Sequence, residues 1–567
     1  MRLPMLSTAR ILPAVVSMAL VHGLFSEVKA APPSVNYLNP AGGQVGQKVE
    51  VSVNKTLGTA PVSVWTSAPG LTITIPEKPA NGKEKQFTVQ IDAAAKPGLY
   101  WLRFHNAEGA SEIRPFLVGT LPEQAETEPN DDLEHAHKCE LPGVTINGVL
   151  AKSGDVDIYQ VKLKRGQTLI ASQTANEQLG SPMDGLLQIL NHRGTVLEQM
   201  EDTLWFDPRI VFTAPEDGTY YVRTFAFPAD PNSTIRFAGA ASYIYRLTLT
   251  TGPFVDHSLP LAWHPAAAAP VALEGWNLPD DLKTLLPAMT DSKTQALLSH
   301  PQLGNLLTIP LSKTPVILET KESQAEKGQL LTLPATVTGK IAERKEIDSY
   351  RFAAKKGDKL TFKVDTYMLG YPLDAYIKLF DAKGKLLKEV DDARRNYYDA
   401  QLDYGIPADG EYRLEVTDRF QYGGFRYVYL LSIQPTEADF SLQTTEEQYT
   451  LTAGDKPLEI EVKVDRQSPR FNDDIEISVA GLPAGVTCEP VVSKLKEKTE
   501  KSVKLKLEAK ADVVFQGPLE IKGVSLKDKT QVHAPTAVIK GISPKRKTAR
   551  PKADLELPYL WLTIKKK

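Results

Sequence analysis

Apolar residues in this chain recur at every second position, in short runs broken by turn residues. Val49, Val51 and Val53 alternate with polar neighbours, and so do Leu71, Ile73 and Ile75 after Pro69-Gly70. Phe87, Val89 and Ile91 repeat the pattern, and Leu99 to Phe104 follows Pro97-Gly98. A period of two places alternate side chains on one face of a strand. Turn signals at roughly ten-residue spacing fold such strands into a sandwich, so residues 34–119 are predicted to form a small β-sandwich. The same alternation runs through Leu458, Ile460, Val462 and Val464, through Ile475, Ile477 and Val479, and through Val503, Leu505 and Leu507. Residues 437–540 are predicted to form another sandwich, with Gly481 to Gly485 as a turn.

Residues 120–253 and 325–436 are copies of one another. Gly148 matches Gly339, Asp157 matches Asp348 and Gly166 matches Gly357; Asp184 matches Asp374, Gly194 matches Gly384 and Asp202 matches Asp392. Pro215 and Gly218 match Pro407 and Gly410, and the separation stays between 190 and 192 residues throughout. Turn glycines, a turn proline and strand-edge aspartates fix where a chain reverses, so the shared set implies a shared fold. Between the copies, 254–324 opens with a strand-like Val271 to Trp276. Asp281 to Ser299 then carries leucines at helix-like spacing around Pro287, predicting a partial β module with a short helical insertion. The tail 541–567 holds Lys545, Arg546, Lys547, Arg550 and Lys552, then a strand-like Leu557 to Ile564 and three lysines. Its basic run reads as a solvated linker, with contact to an acidic cell surface or anionic polymer as the alternative.

A chain of 567 residues is too long for one core, and domains of about 100–150 residues imply four or five modules. The formal charge of −3 argues against nucleic acid as the main partner, because that needs a concentrated basic surface. Arg2 and Arg10 precede and flank a mostly apolar Ile11 to Phe25, and Val28-Lys29-Ala30 offers a small-residue cleavage site. Residues 1–30 are therefore read as a signal peptide cut before Ala31. No later segment is apolar enough for integral membrane association. Cys139 and Cys488 fall in different predicted modules, so the chain does not rest on a disulfide framework.

One stretch carries chemistry. Glu126 to Asp132 reads E-T-E-P-N-D-D, and Ser153 to Tyr159 reads S-G-D-V-D-I-Y. With Gly166, Asp184, Gly194, Pro215 and Gly218, it resembles the bacterial pre-peptidase C-terminal domain, which is similar to the collagen-binding domains of clostridial collagenases. The flanking modules resemble immunoglobulin-like accessory domains. The resemblance implies an all-β chain of tandem β-sandwich modules, jelly-roll-like and immunoglobulin-like. It also implies an exported accessory or binding architecture, and does not by itself imply catalysis.

Calcium takes about six to eight oxygen ligands. Glu126, Glu128, Asn130 and Asp131 offer four side chains within six residues, and Asp155 and Asp157 lie two apart at a strand start. In the family the matching positions ligate calcium. The resemblance therefore implies that role for Glu126, Glu128, Asn130, Asp131, Asp155 and Asp157, with Ser153 as a marginal seventh. The alternative is a solvated acidic linker. In the second copy Glu319 stands for Glu126, but Lys321, Glu322 and Ser323 replace the E-P-N core. Lys345-Glu346 stands where Asp155 is, and only Asp348 persists. One calcium site is expected, not two.

Other constellations are weaker. His135 and His137 share a face if they lie on a strand, and with Cys139 they form an incomplete zinc set. No H-E-x-x-H, G-x-S-x-G or phosphate-loop pattern occurs, so no catalytic residue is assigned. Tyr367, Tyr371, Tyr397 and Tyr398 are placed in loops of the second copy and form a candidate aromatic face for a sugar or peptide. The expectation is an exported, non-catalytic, calcium-binding protein, whether periplasmic, cell-surface or extracellular. Its partner is an extracellular protein or polysaccharide, or a secreted enzyme. A secreted hydrolase with its site between modules and a structural cell-envelope protein are the alternatives.

Overall fold

Alternating burial governs the architecture. The strand Leu458–Arg466, for example, sends Ile460, Val462 and Val464 inward and its charged residues out. The computed structural model describes residues 30–77, 82, 85–229, 236–290, 294–324, 327–394, 397–467, 471–537 and 560–567. All of the signal-peptide reading except Ala30 lies outside those residues, as do Lys545, Arg546, Lys547, Arg550 and Lys552. The fold is all-β; among the described residues the helical elements are one four-residue α-helix, Asn176–Leu179, and three short 3-10 turns.

Two sheets face each other in the N-terminal part. One runs Leu38–Asn39, Lys48–Val53, Gln86–Ile91, Leu71–Thr74; the other runs Gly42–Gln44, Arg114–Gly119, Gly98–Asn106, Ser63–Thr66. Val51, Phe87, Val89, Leu102, Phe104 and Phe116 fill the space between them.

The two repeated segments have one topology. In the first, one sheet runs Glu123–Ala125, Gly143–Val149, Ile244–Thr250, Thr168–Thr174, Arg209–Thr213. Its partner runs His137–Lys138, Asp157–Leu163, Gly218–Pro228, Met183–Leu190, Val196–Met200. The second repeats this order with Val316–Leu318, Ala335–Lys340, Val428–Pro435, Lys359–Asp365, Ala400–Gly405. Its facing sheet is Gln329–Leu331, Asp348–Ala354, Gly410–Asp418, Ala375–Phe380, Leu386–Val390. In each sheet the short edge strand pairs parallel and the rest pair antiparallel.

The helical insertion expected within 281–299 is corrected. The described residues there form a 3-10 turn at Asp280–Leu282 and short strands Thr284–Leu285, Ala288–Met289 and Gln295–Leu298. Pro287 cannot continue a helix, and Ala296 and Leu298 bury on a period of two against Leu307–Pro310. The C-terminal strand, Leu560–Lys565, is no appendage. It pairs parallel with Gln448–Thr452 and antiparallel with Phe515–Ser525, and Leu560, Leu562 and Ile564 join the core of the last sandwich.

The parts are docked. Arg103 donates to Glu447 at 2.8 Å with both side chains buried, joining the first sandwich to the last. Asp256, wholly buried, accepts from Arg209 of the first copy at 3.0 Å and Arg426 of the second at 2.9 Å. His257 pairs with its other oxygen at 2.9 Å. A buried carboxylate held by two guanidinium groups fixes register between the elements that carry them.

Candidate metal centre

The acidic segment is clamped between the two sheets of the first copy. Glu126 follows the edge strand, and its N–H donates to Asn147 O at 3.0 Å. The Asn130 carbonyl accepts from Ile158 N at 2.9 Å. These bonds carry the segment across from one sheet to the other. Oxygens of Glu126, Glu128 and Asp157 thereby gather within 4.8 Å of one another.

Each carboxylate is partly satisfied, and one cation, the exposed Lys152, stands at the rim of the cluster, 3.6 Å from Asp155 Oδ1. Glu126 Oε1 accepts from Val149 N at 2.8 Å, and Oε2 accepts from Tyr245 OH at 3.2 Å. Tyr245 OH also donates to Asp157, and it shares a hydrogen bond with Tyr159 OH. One Asn130 side-chain amide atom stands 3.3 Å from Glu128 Oε2 and 3.1 Å from Asp157 Oδ1. Two chemistries satisfy it there: an NH2 donating to both carboxylates, or a carbonyl oxygen sharing a cation with them. Asp155 is 1% exposed; its Oδ2 accepts from Ala151 and Lys152 N–H, while its buried Oδ1 has no hydrogen-bond donor.

The electrostatics follow from that crowding. Burial, with the Glu128 charge adding to it, pushes the Glu126 carboxyl up to about 7. Burial and then the Glu126 charge push Asp157 up as well. Glu128 is raised by desolvation and by Asp155 and Asp131. Without a positive charge in their midst, these groups take protons. An oxygen-only set, with one buried carboxylate oxygen that accepts no hydrogen bond, fits a hard divalent cation, and offers no soft ligand for a thiophilic one.

Two predicted ligands are not gathered here. Asp131 is exposed, 3.7 Å from Lys152 Nζ. Ser153 is exposed and donates to Phe237 O at 3.0 Å. Asp131 stays near enough to share Lys152 with Asp155, but its side chain faces solvent and not the gathered oxygens. The Tyr245 hydroxyl, which sequence reasoning missed, comes from a strand far downstream, while Tyr159 lies two residues after Asp157. Its signal was the glycine at 148: a Cβ built there overlaps the Tyr245 ring, and one built on Gly339 overlaps Tyr429.

The zinc set does not form. His135 Nδ1 pairs with Asp132 at 2.9 Å, and His137 Nδ1 accepts from Thr127 N at 3.0 Å. Burial raises the Cys139 thiol to about 12, far from a thiolate. The aromatic face is also corrected. Tyr371 is buried at the junction, its ring 6.0 Å from His257, because the left-handed turn at Gly370 folds it inward. Tyr367 packs edge-on against Trp205 and against Tyr398, and Arg394 stacks over Tyr397. Tyr367 and Tyr371 thus serve contacts between modules.

The fold and site together define a tandem β-sandwich chain with an acidic, oxygen-lined centre in one repeat. Residues 155–226 match the bacterial pre-peptidase C-terminal domain family, and the chain carries such a domain there. That match starts at Asp155, so the segment from Glu126 lies ahead of it. Among solved structures, the pre-peptidase C-terminal domain of a Bacillus anthracis collagenase is 17% identical, covering 22% of this chain and 100% of that one, with TM-score 0.15. A periplasmic inhibitor of g-type lysozyme from Salmonella Typhimurium is 22% identical over 19% and 97% of the two chains, with TM-score 0.14. Tandem CBM51 modules from a Streptococcus pneumoniae family 98 glycoside hydrolase are 11% identical over 51% and 83%, with TM-score 0.13. Scores this low carry no argument about function. No curated protein matches the chain.

Proposed function

We propose that this protein is an exported, non-catalytic assembly of β-sandwich modules that binds calcium once, in its first repeat. The observation that carries the reading is the gathering of Glu126, Glu128 and Asp157 oxygens within 4.8 Å, beside Asn130 and the buried Asp155, whose Oδ1 accepts no hydrogen bond. Burying carboxylates together costs free energy unless a cation or protons neutralise them. Glu126, Glu128, Asn130, Asp155 and Asp157 hold the ion. Calcium would supply the positive charge that lets them stay ionised at neutral pH.

The ion then ties the acidic segment to both sheets of the first repeat. That segment starts just after Glu123, whose carbonyl accepts from Gln47 Nε2 of the first sandwich at 3.3 Å, so calcium stiffens the link between the first sandwich and its neighbour. The task of such a chain is to bind an extracellular protein or polysaccharide, or to present a secreted enzyme to one. The family match supports export, and among the described residues no helix is long and apolar enough to cross a membrane.

Calorimetric titration of calcium into the purified 31–567 protein tests the metal reading. One ion per chain is expected; none sinks the calcium site, and two equivalent ions sink the distinction between repeats. A glycan and matrix-protein array tests the partner. Turnover of casein, gelatin or a common polysaccharide by the pure protein would replace the binding reading with a hydrolase.

A further inference from the structure

We propose that His137 is a positioning residue for the calcium site: a latch that closes the acidic loop from its far end. The inference rests on the calcium reading. The geometry is local and specific. Thr127, between the candidate ligands Glu126 and Glu128, donates its backbone N–H to His137 Nδ1 at 3.0 Å, across ten residues. His137 is itself held. It pairs with Tyr159 in the parallel strand contact His137–Lys138 against Asp157–Leu163, its ring lies 5.8 Å from the Tyr159 ring, and Nε2 stands 3.0 Å from the Gln124 side-chain amide.

The latch completes a set of pins. Glu126 N is fixed to Asn147 O, Thr127 N to His137 and Asn130 O to Ile158 N. Glu128 lies between the last two, and its own Oε2 accepts from Asn130 N at 3.0 Å. A ligand held from both sides needs less ordering when the ion arrives, so binding is tighter.

The second repeat makes the same latch with a different residue. Gln329 occupies the matching strand position, paired with Tyr350 as His137 is with Tyr159. Its Oε1 accepts from Thr320 N at 2.8 Å, and Thr320 follows Glu319 as Thr127 follows Glu126. The other end of the Gln329 amide donates to Leu318 O at 3.3 Å. A histidine and a glutamine have in common a side-chain acceptor reaching the same N–H. That identity of role under a change of residue separates a latch from a coincidental contact. It also accounts for His137 without zinc.

The test compares wild type, H137F and H137Q of the 31–567 protein. Phenylalanine keeps the ring against Tyr159 and removes the acceptor; glutamine imports the second repeat's own solution. Calcium calorimetry is expected to show about a tenfold weaker affinity in H137F, the usual scale for residues that orient a metal ligand. H137Q should stay close to wild type. Thermal unfolding in chelator should move little, because the Thr127 N–H is exposed and water replaces the lost partner. Unchanged calcium affinity in H137F overturns the latch, and so does an H137Q as weak as H137F. Failure of the calcium reading looks different: wild type itself takes up no ion. The latch is then read from Thr127 amide exchange in calcium-free protein. There H137F should exchange faster and H137Q as wild type, and equal rates in all three overturn it.

Discussion

The two repeats share a scaffold and differ in what it holds. Both place one tyrosine of a hydroxyl-bonded pair over a glycine: Tyr245, bonded to Tyr159, over Gly148, and Tyr429, bonded to Tyr350, over Gly339. In both, the second tyrosine donates to an aspartate, Asp157 in one and Asp348 in the other. In both, a glutamate follows the edge strand and donates its N–H across the sheet. The differences fall where ligands stand. Lys321 replaces Glu128, Ser323 replaces Asn130 and Glu346 replaces Asp155. Ser323 keeps the backbone bond of Asn130, accepting from Ser349 N at 2.7 Å, yet its hydroxyl donates to Asp348 at 3.4 Å. Glu319 and Asp348 are left as a buried carboxyl pair, both raised by desolvation and by each other or nearby Glu346. In the proposed reading the first repeat presents oxygens to a cation, while burial favours protons on the matching pair of the second. Scaffold and cargo are thus separable, and substitution can test each apart from the other.

The largest effect is expected from D157N set against D348N. Removing one of few charged ligands should weaken calcium binding by about a hundredfold or more, since charge count sets affinity in such sites. The variant should stay folded, because burial already favours the neutral form of that carboxyl. D348N should leave calcium affinity and stoichiometry at wild-type values. Equal losses in the two variants, read by calorimetry, would erase the distinction between repeats.

G148A and G339A probe what is common. In each, the new Cβ overlaps the tyrosine ring that carries the hydroxyl pair. Overpacking of this kind costs about 1–3 kcal/mol. Denaturant unfolding should show comparable losses in both repeats. A harmless G339A beside a damaging G148A would mean that the tyrosine pair matters for the metal and not for the sandwich.

The comparison also shows what the sequence made legible. Turn glycines, Pro215 and Pro407, and the paired aspartates are local requirements of chain reversal, so the repeat could be read directly. Glu126, Glu128 and Asp157, whose oxygens the fold gathers, were legible as an acidic cluster, because residue type and a strand start were enough. The exposure of Asp131 and Ser153 was not legible, because the direction of a side chain after Asn130 or before Asp155 is a property of the turn. Tyr245 lies 119 residues from Glu126, so only the fold brings the two together. Leucines from 281 to 299 mimicked a helix because short strands and a 3-10 turn follow one another there, leaving Leu286 exposed while Leu282 is buried. Leu560–Lys565 read as a tail because its strand partners, Gln448–Thr452 and Phe515–Ser525, are remote in sequence.

A smaller gain should come from building the site where it is missing. K321E with S323N gives the second repeat the glutamate and asparagine of the first. The latch, the tyrosine pair and Asp348 are already in place. Calorimetry should then show a second, weaker site, taking the stoichiometry from one calcium to two. A stoichiometry that stays at one would mean that Glu346, in the place of Asp155, also has to change.

The mildest effect is a dependence of stability on pH that calcium removes from one repeat alone. Glu126 and Asp157 have raised carboxyl values in the folded, metal-free state and ordinary ones when unfolded. The folded form then binds protons more tightly, so their contribution is present at low pH. It is lost as pH rises from the ordinary carboxylate range through about 7 for Glu126 and about 9 for Asp157. Glu319, raised to about 8, and Asp348, raised to about 6, slope the same way in the second repeat. In chelator, thermal unfolding temperature should therefore fall between pH 5 and pH 8. Calcium holds Glu126 and Asp157 as anions and cancels their part of the slope, but has nothing to act on at Glu319 and Asp348. The difference between the two curves, widening with pH, isolates the first repeat. D157N should abolish that difference and leave the remaining slope intact. Curves that stay parallel in wild type would show that the first repeat, like the second, keeps its carboxylates with protons alone.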